Sequence, residues 1–504
     1  AAGDSTSAAA TTENGDKVVR VAAVDPQVAL DPQQFTYSIV MKITDNITES
    51  LLTTTSDGLV PTLLAAMPTI SDDNMTYSFE LLPDVKFHDG TTLKASDVKY
   101  SYERLIKMAK MATLLENVVG YDEMSAGTAD ELSGIEVQDD THFTIQLKKP
   151  YAPFLSVLST AYCAIYPQEA CEAAGDNWGM TTLIGTGAFK LDSYQTGVGA
   201  TLSRFDDYHG GAVALSGLDY KFIEDVNTQV LEYQKGNVDY VDVDPSIYPV
   251  YSSNPDLKDQ MHGFQPTGCY SLNVNSKTYS DPKVREAIAL SIDRKAICES
   301  ILHGTATVPN SYIPAGIIGH DDSLPEFEYD PEKAKELLAD AGYADGFDLE
   351  ITVPSSYSQH VDSAQIIADE LSQVGINVTL NQVEWSTWLQ DVYKGGNFQA
   401  TVIGFDGTLA PSDWLKKYVT DDAKNFMHYS NTEYDDVFNT AYTTVDDDVK
   451  VENYKKAQMI LAEDAAAVYI EDPANLVAVS KKFGGYTFYP TAAEDMSLLY
   501  QVEQ

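Results

Sequence analysis

Eight histidines and four cysteines are the residues from which a reactive or metal-binding site could be assembled, and their spacing assembles none of the usual ones. No two of His88, His142, His209, His262, His303, His320, His360 and His428 stand within four residues of each other, so no helical turn presents a pair of imidazoles to a metal. The chain has no G-x-S-x-G turn to expose a serine, no H-E-x-x-H, and no glycine-rich loop ending in Gly-Lys-Ser/Thr to hold a phosphate. Gly185 and Gly187 are turn residues ahead of a strand, since no helix start follows them. His88 beside Asp89 has only the spelling of a catalytic dyad. Cys163, Cys171, Cys269 and Cys298 lack Cys-x-x-Cys spacing. The first two could pair in an oxidising exterior or lie buried as thiols, and the other two read as core residues. Acidic pairs such as Asp72 with Asp73 and Asp435 with Asp436 lack calcium-loop spacing and read as solvated surface. No metal or other cofactor is expected.

Binding needs less: a crevice with apolar walls and a few polar anchors at the carboxyl ends of strands. The stretch TVIGFDGTLAPSDWL at 401–415 has that form. An apolar strand ends in Gly404, Phe405, Asp406 and Gly407, where backbone and carboxylate groups can meet a ligand, and Asp413 and Trp414 follow. Asp406 or Asp413 could anchor an amine, or stand in solvent.

The elements that would hold this strand are legible on both sides of it. Strand 347–353, helix 361–374, strand 376–383, helix 387–394 and strand 399–405 alternate as parallel βαβ units do. Asp330 ahead of Pro331 caps a helix that stops at Gly342, and Asp281 ahead of Pro282 caps another over Val284, Ile288 and Ile292. Nearer the amino end, strand 18–24 leads to LDPQQF and then to Ile39, Ile43, Ile47 and Leu51, whose four-residue spacing predicts one helical face. From 52 onward short strands take over. Tyr77, Phe79 and Leu81 alternate, a helix carries Val98, Tyr102 and Leu105, and strands 135–137 and 143–147 form a hairpin.

With 504 residues, 44% hydrophobic and 21% charged, the chain can bury a core large enough for two or three domains. A net charge of −44 makes nucleic acid and anionic membrane surfaces unsuitable partners. No apolar run is long enough to span a bilayer. Residues 1–16, AAGDSTSAAATTENGD, read as a flexible tether.

The stretch YSLNVNSKTYSDPKVREAIALSIDRKAI at 270–297 closely resembles the bacterial extracellular solute-binding proteins of family 5, the dipeptide-, oligopeptide- and nickel-binding proteins of ABC importers. So do YSFELLPDVKFHDGTTLKASDVKYSYERL, IGTGAFKLDSY and LDYKFIEDVNTQVLEYQKGNVDYV, and the resemblance covers nearly all of 17–504. It implies an α/β fold like the type II periplasmic binding proteins, with two lobes joined by a two-crossing hinge near 262–266 and 471–475 and an extra small domain. Residues 1–17 would be the tether, 18–51 with 183–264 and 475–504 domain I, 52–182 domain II, and 265–474 domain III. KFHDG is similar to a hairpin of the small domain, which removes the dyad reading of His88.

The implied function is capture of a peptide between two closing lobes and its delivery to an ABC permease. The protein would be monomeric, not an enzyme, and held outside the cell or in the periplasm by a lipidated N-terminal cysteine, which this sequence does not contain. In peptide-binding members the segment matching 404–408 begins Gly-Trp and carries an aspartate three residues after the Trp, which takes the peptide amine. Here Phe405 and Thr408 stand at those places. The arginine that pairs with a dipeptide's carboxylate aligns with Tyr357, and no arginine follows Arg294. The resemblance therefore favours an oligopeptide over a dipeptide and leaves a non-peptide solute, such as an oligosaccharide or a nickel complex, as the alternative. An extracellular hydrolase or a sensory receptor is more remote. Further wall residues by resemblance are Thr36, Tyr37, Pro266, Thr267, Gly268 and Trp385.

Overall fold

The computed structural model describes residues 17–55, 58–264, 268–315, 317–406, 410–473, 475–487 and 494–502; the expected tether lies outside them except for Lys17. The chain divides into two units, Ala1–Phe264 with Asn475–Gln504, and Gln265–Ala474.

In the first unit, strand Val18–Ala23 lies parallel to Gly217–Phe222 on one side and Tyr240–Val243 on the other. The sheet has seven strands in the order Met261–Phe264, Asn475–Val479, Tyr240–Val243, Val18–Ala23, Gly217–Phe222, Gly199–Arg204 and Phe189–Gln195. Helix Val226–Gln234 makes the crossover between the two parallel partners. The Asp225 carboxylate accepts from Thr228 N (2.7 Å) at its start, and Gly236 turns the chain at its end with φ of 76°. Val19, Val21, Trp178, Phe189, Leu202 and Tyr220 fill the core beneath this sheet.

A second, four-stranded sheet of the same unit, Thr69–Ile70, Thr76–Glu80, His142–Gln146 and Ile135–Val137, has its own core with helix Ala95–Met108, around Tyr77, Phe79, Tyr102, Phe143 and Ile145. Its hairpin turns on Asp139, whose carboxylate accepts from the N–H groups of Thr141 (2.9 Å) and His142 (2.8 Å).

The spacing of Ile39, Ile43, Ile47 and Leu51 predicts a helix through 51, yet the helix is Ser38–Thr44. Ile47 and Leu51 are fully buried without being helical. Asn46 ends the helix: its side-chain N–H donates to Lys42 O (3.1 Å) and Glu494 O (2.8 Å), and its side-chain oxygen accepts from Met496 N (2.8 Å). Ile47 O accepts from Gly187 N at 2.9 Å. A Cβ at Gly185 would stand 2.2 Å from that same carbonyl, so close approach, and not only a turn, requires glycine there.

In the second unit the six strands run Ala306–Thr307, Val468–Pro473, Gly268–Val274, Ala400–Asp406, Phe347–Pro354 and Ile376–Val383. Phe347–Pro354 is parallel to both Ile376–Val383 and Ala400–Asp406, as the βαβ pattern predicts. Helix Ser358–Ser372 makes the first crossover; the second is wound as Trp385–Thr387 followed by a π turn, Trp388–Lys394. Asp281 and Asp330 cap helices Pro282–Leu290 and Pro331–Asp340 by accepting from Lys283 N (2.9 Å) and Lys333 N (3.0 Å). All four cysteines are buried free thiols, which settles the pairing of Cys163 with Cys171 against a disulfide. Among the described residues no helix is long and apolar enough to cross a membrane.

Candidate ligand-binding site

Strand Ala400–Asp406 lies between an antiparallel neighbour, Gly268–Val274, and a parallel one, Phe347–Pro354, so its carboxyl end emerges mid-sheet. Successive residues face opposite layers. Ala400 and Val402 join the core with helices Pro282–Leu290 and Ser358–Ser372, whereas Ile403 and Phe405 pack toward helices Thr432–Thr443 and Asp447–Glu463.

On the first face, Gly404 leaves room that two rings occupy. A Cβ there would meet the Tyr270 ring at 2.9 Å and His360 at 3.1 Å. Gly404 N donates to His360 Nε2 at 3.0 Å, which leaves the proton of the neutral ring on Nδ1, where no acceptor stands among the described residues. Burial pushes the pKa of His360 down to about 4. Tyr270 pairs across the ladder with Gly404 on one side and with Glu471 on the other. Glu471 is fully buried; Ser363 Oγ donates to one carboxyl oxygen at 2.8 Å and the other has no partner among the described residues. Burial raises its pKa to about 7. Serine, histidine and glutamate thus occur together without forming a catalytic relay. The acceptor nitrogen of His360 is taken by a backbone N–H, and the bond from Ser363 goes to the carboxylate.

On the opposite face the half-buried Phe405 ring covers Lys417, which is 4% exposed. The Lys417 ammonium lies 3.6 Å from the Phe405 ring centroid, with Trp414, Tyr469 and Tyr418 at 5.1, 5.7 and 5.8 Å. Among the described residues no carboxylate is within ion-pair distance, and burial pushes the pKa of this ammonium down to about 7. Asp413 instead faces Lys424 at 4.0 Å. Trp414, expected in the ligand wall, is 1% exposed and belongs to the core.

Tyr357 precedes helix Ser358–Ser372 and is 45% exposed. Its ring meets His360 at 5.2 Å and stands edge-on to Trp385 at 5.4 Å. Trp385 stacks on Trp388 (5.2 Å, 5°), whose indole N–H donates to Thr401 Oγ1 at 3.0 Å. Tyr357 and Trp385 therefore form an accessible aromatic ledge tied to the strand, and Gly404 joins it through His360. Gly268 opens the neighbouring strand opposite Asp406. Pro266, Thr267, Gly407 and Thr408 lie outside the described residues, as does the Asp406 side chain. Thr36 and Tyr37 belong to the other unit, both exposed, with Tyr37 immediately before helix Ser38–Thr44.

His360, Lys417 and Glu471 were not singled out by spacing. A signal for the last existed in the carboxylates that end the apolar run AAAVYIED. Lys417, half of a Lys-Lys pair in a highly acidic chain, reads as surface. No cluster of three histidine, cysteine or carboxylate side chains among the described residues could hold a metal.

Comparison with known proteins places this arrangement. The model of the bacterial extracellular solute-binding proteins, family 5, matches residues 58–426. The dipeptide-binding protein of Escherichia coli K12 is 27% identical over 448 residues, spanning 84% of this chain and 82% of that protein. The unliganded open form of MppA, a periplasmic murein tripeptide binding protein, shares the fold with a TM-score of 0.87 at 23% identity, over 97% of this chain and 98% of that one. PBP AgaA from A. tumefacien R10, in complex with agropinic acid, is 27% identical with a TM-score of 0.72, over 97% and 99%. A family match spanning well over half the chain leads to one conclusion: this chain belongs to the bacterial extracellular solute-binding proteins of family 5.

Proposed function

We propose that the protein is the substrate-binding component of an ABC importer. It captures a peptide longer than a dipeptide, releases it unaltered to a membrane permease, and works as a monomer outside the cell or in the periplasm, held by an N-terminal lipid anchor. Family membership supports the transport role, and the engagement of every arginine carries the preference for length. Arg20, Arg104 and Arg204 pair with Asp239, Asp31 and Asp206. Arg285 and Arg294 spend their donors on backbone carbonyls. None is left to clamp a dipeptide carboxylate, and a longer chain is held largely through its own backbone. Gly268, Gly404, Phe405, Tyr357 and Trp385 are the proposed wall residues of the second unit, and Thr36 and Tyr37 are those proposed for the first. Residues 52–182 act as a domain of their own within the first unit.

Binding is read out as closure. Moving a two-state equilibrium from 1:99 to 99:1 needs about 5.5 kcal/mol of preference, within the roughly 8 kcal/mol of a micromolar ligand. Denaturing the purified protein and identifying the released small molecules by mass spectrometry tests the reading. Peptides of three or more residues are expected; recovery of only non-peptide solutes would overturn it in favour of the alternative that AgaA, with its agropinic acid, illustrates.

A further inference from the structure

We propose that Lys417 is a specificity-determining residue of this site: its ammonium, caged behind the Phe405 ring at the carboxyl end of strand Ala400–Asp406, takes an anionic group of the ligand, a carboxylate. The inference rests on the peptide-capture reading and names the chemistry of one contact in it.

A cation removed from water is stable only if a carboxylate or several acceptors replace its hydration. The arginines removed from water meet that condition: buried Arg104 has Asp31 at 2.8 Å, and buried Arg285 and half-buried Arg294 have three backbone carbonyls each. Lys417, at 4% exposure, has neither an acceptor nor a carboxylate among the described residues. What surrounds it is aromatic: Phe405, Trp414, Tyr418 and Tyr469. The other titratable groups that act on it do not neutralise it. Asp413 faces Lys424, Lys424 is itself a cation, and burial keeps the Cys269 thiol protonated.

Of the four rings, Phe405 is nearest and the only one that is half-buried rather than buried, and it stands where the strand leaves the sheet. A carboxylate that displaces this ring converts an unpaired ammonium into a charge-assisted hydrogen bond in a low-dielectric site. All five arginines are engaged elsewhere, and among the described residues this lysine stands directly behind Phe405.

The test uses ligand-free, refolded full chain and a library of peptides of two to eight residues prepared in two forms, free carboxylate and carboxamide. Peptides captured from the mixed library are quantified by mass spectrometry. The wild type is expected to retain the carboxylate form about tenfold over the amide, and Lys417→Met to lose that preference. In the free protein, Lys417→Met is expected to melt no lower than the wild type, because burying an ammonium without a carboxylate costs at least as much as its ring contacts return. Equal capture of both forms by the wild type, or a preference that survives in Lys417→Met, overturns the anchor and leaves peptide capture standing. A Lys417→Met chain that melts markedly lower or fails to fold shows the lysine to be structural and also overturns the anchor. Capture of neither form by the wild type overturns peptide capture and the anchor together.

Discussion

Gly404 is the residue on which the strand end depends, because the space its missing side chain leaves holds the Tyr270 and His360 rings. Alanine there puts a methyl 2.9 Å from the half-buried Tyr270 ring and 3.1 Å from the buried His360 ring, and neither is a flexible tip. Gly404→Ala is therefore expected to lower unfolding free energy by about 1–3 kcal/mol in urea titration; no loss would show that the rings shift freely. Glu471 and His360 pull on pH in opposite directions. Glu471, raised by burial to about 7, is stable as the neutral acid, so its contribution is intact below its unfolded value and is lost as pH rises through about 7. His360, lowered to about 4, contributes above its unfolded value and loses that contribution as pH falls toward 4. Glu471→Gln removes the first dependence. Relative to wild type, this variant is expected to gain up to about 3 kcal/mol between pH 4.5 and pH 8 in denaturant titrations, and a flat difference would contradict it. Gly404 stood out in the sequence at the end of an apolar strand, whereas His360 and Glu471 did not, since burial of a polar side chain depends on which segments pack over it.

Elements were legible where local chemistry decides them. Asp281 and Asp330 stand before prolines, and both cap helices through their carboxylates. Strand alternation located the central strand to within a residue, at Ala400–Asp406 against 399–405. Where tertiary partners decide, spacing misled: the apolar period through Leu51 reports burial, while Asn46 ends the helix at Thr44 by bonding residues far along the chain. The sequence did not show what the LDPQQF segment does. Its Asp31 and Gln33 accept from Arg104 at 2.8 and 2.6 Å, tying the loop to helix Ala95–Met108. Arg104→Met leaves the fully buried Asp31 carboxylate without its cation, and a loss of about 3–5 kcal/mol is expected by thermal or urea unfolding. A loss below about 1 kcal/mol would mean that Gln33 and Gln34 suffice to hold Asp31.

At the scale of the whole molecule, the proposal is that this chain binds its ligand and releases it unaltered. Its net charge of −44 adds self-repulsion to both units, so the melting temperature is expected to rise with salt from about 0.01 to 0.15 M as screening shortens; a fall would argue that attractive ion pairs dominate. The fold class was readable because family wording recurs along the chain. The ligand was not, because the residues that would grip it differ from the family's peptide clamp at Thr408 and Tyr357. Native mass spectrometry of the ligand-free, refolded chain mixed with peptides of two to eight residues tests the central claim most directly. The account predicts complexes of one chain with one intact peptide, enriched in peptides of three residues or more, and a pool unchanged in length after prolonged incubation. A chain that carries no peptide, or a pool that shortens with time, would contradict it.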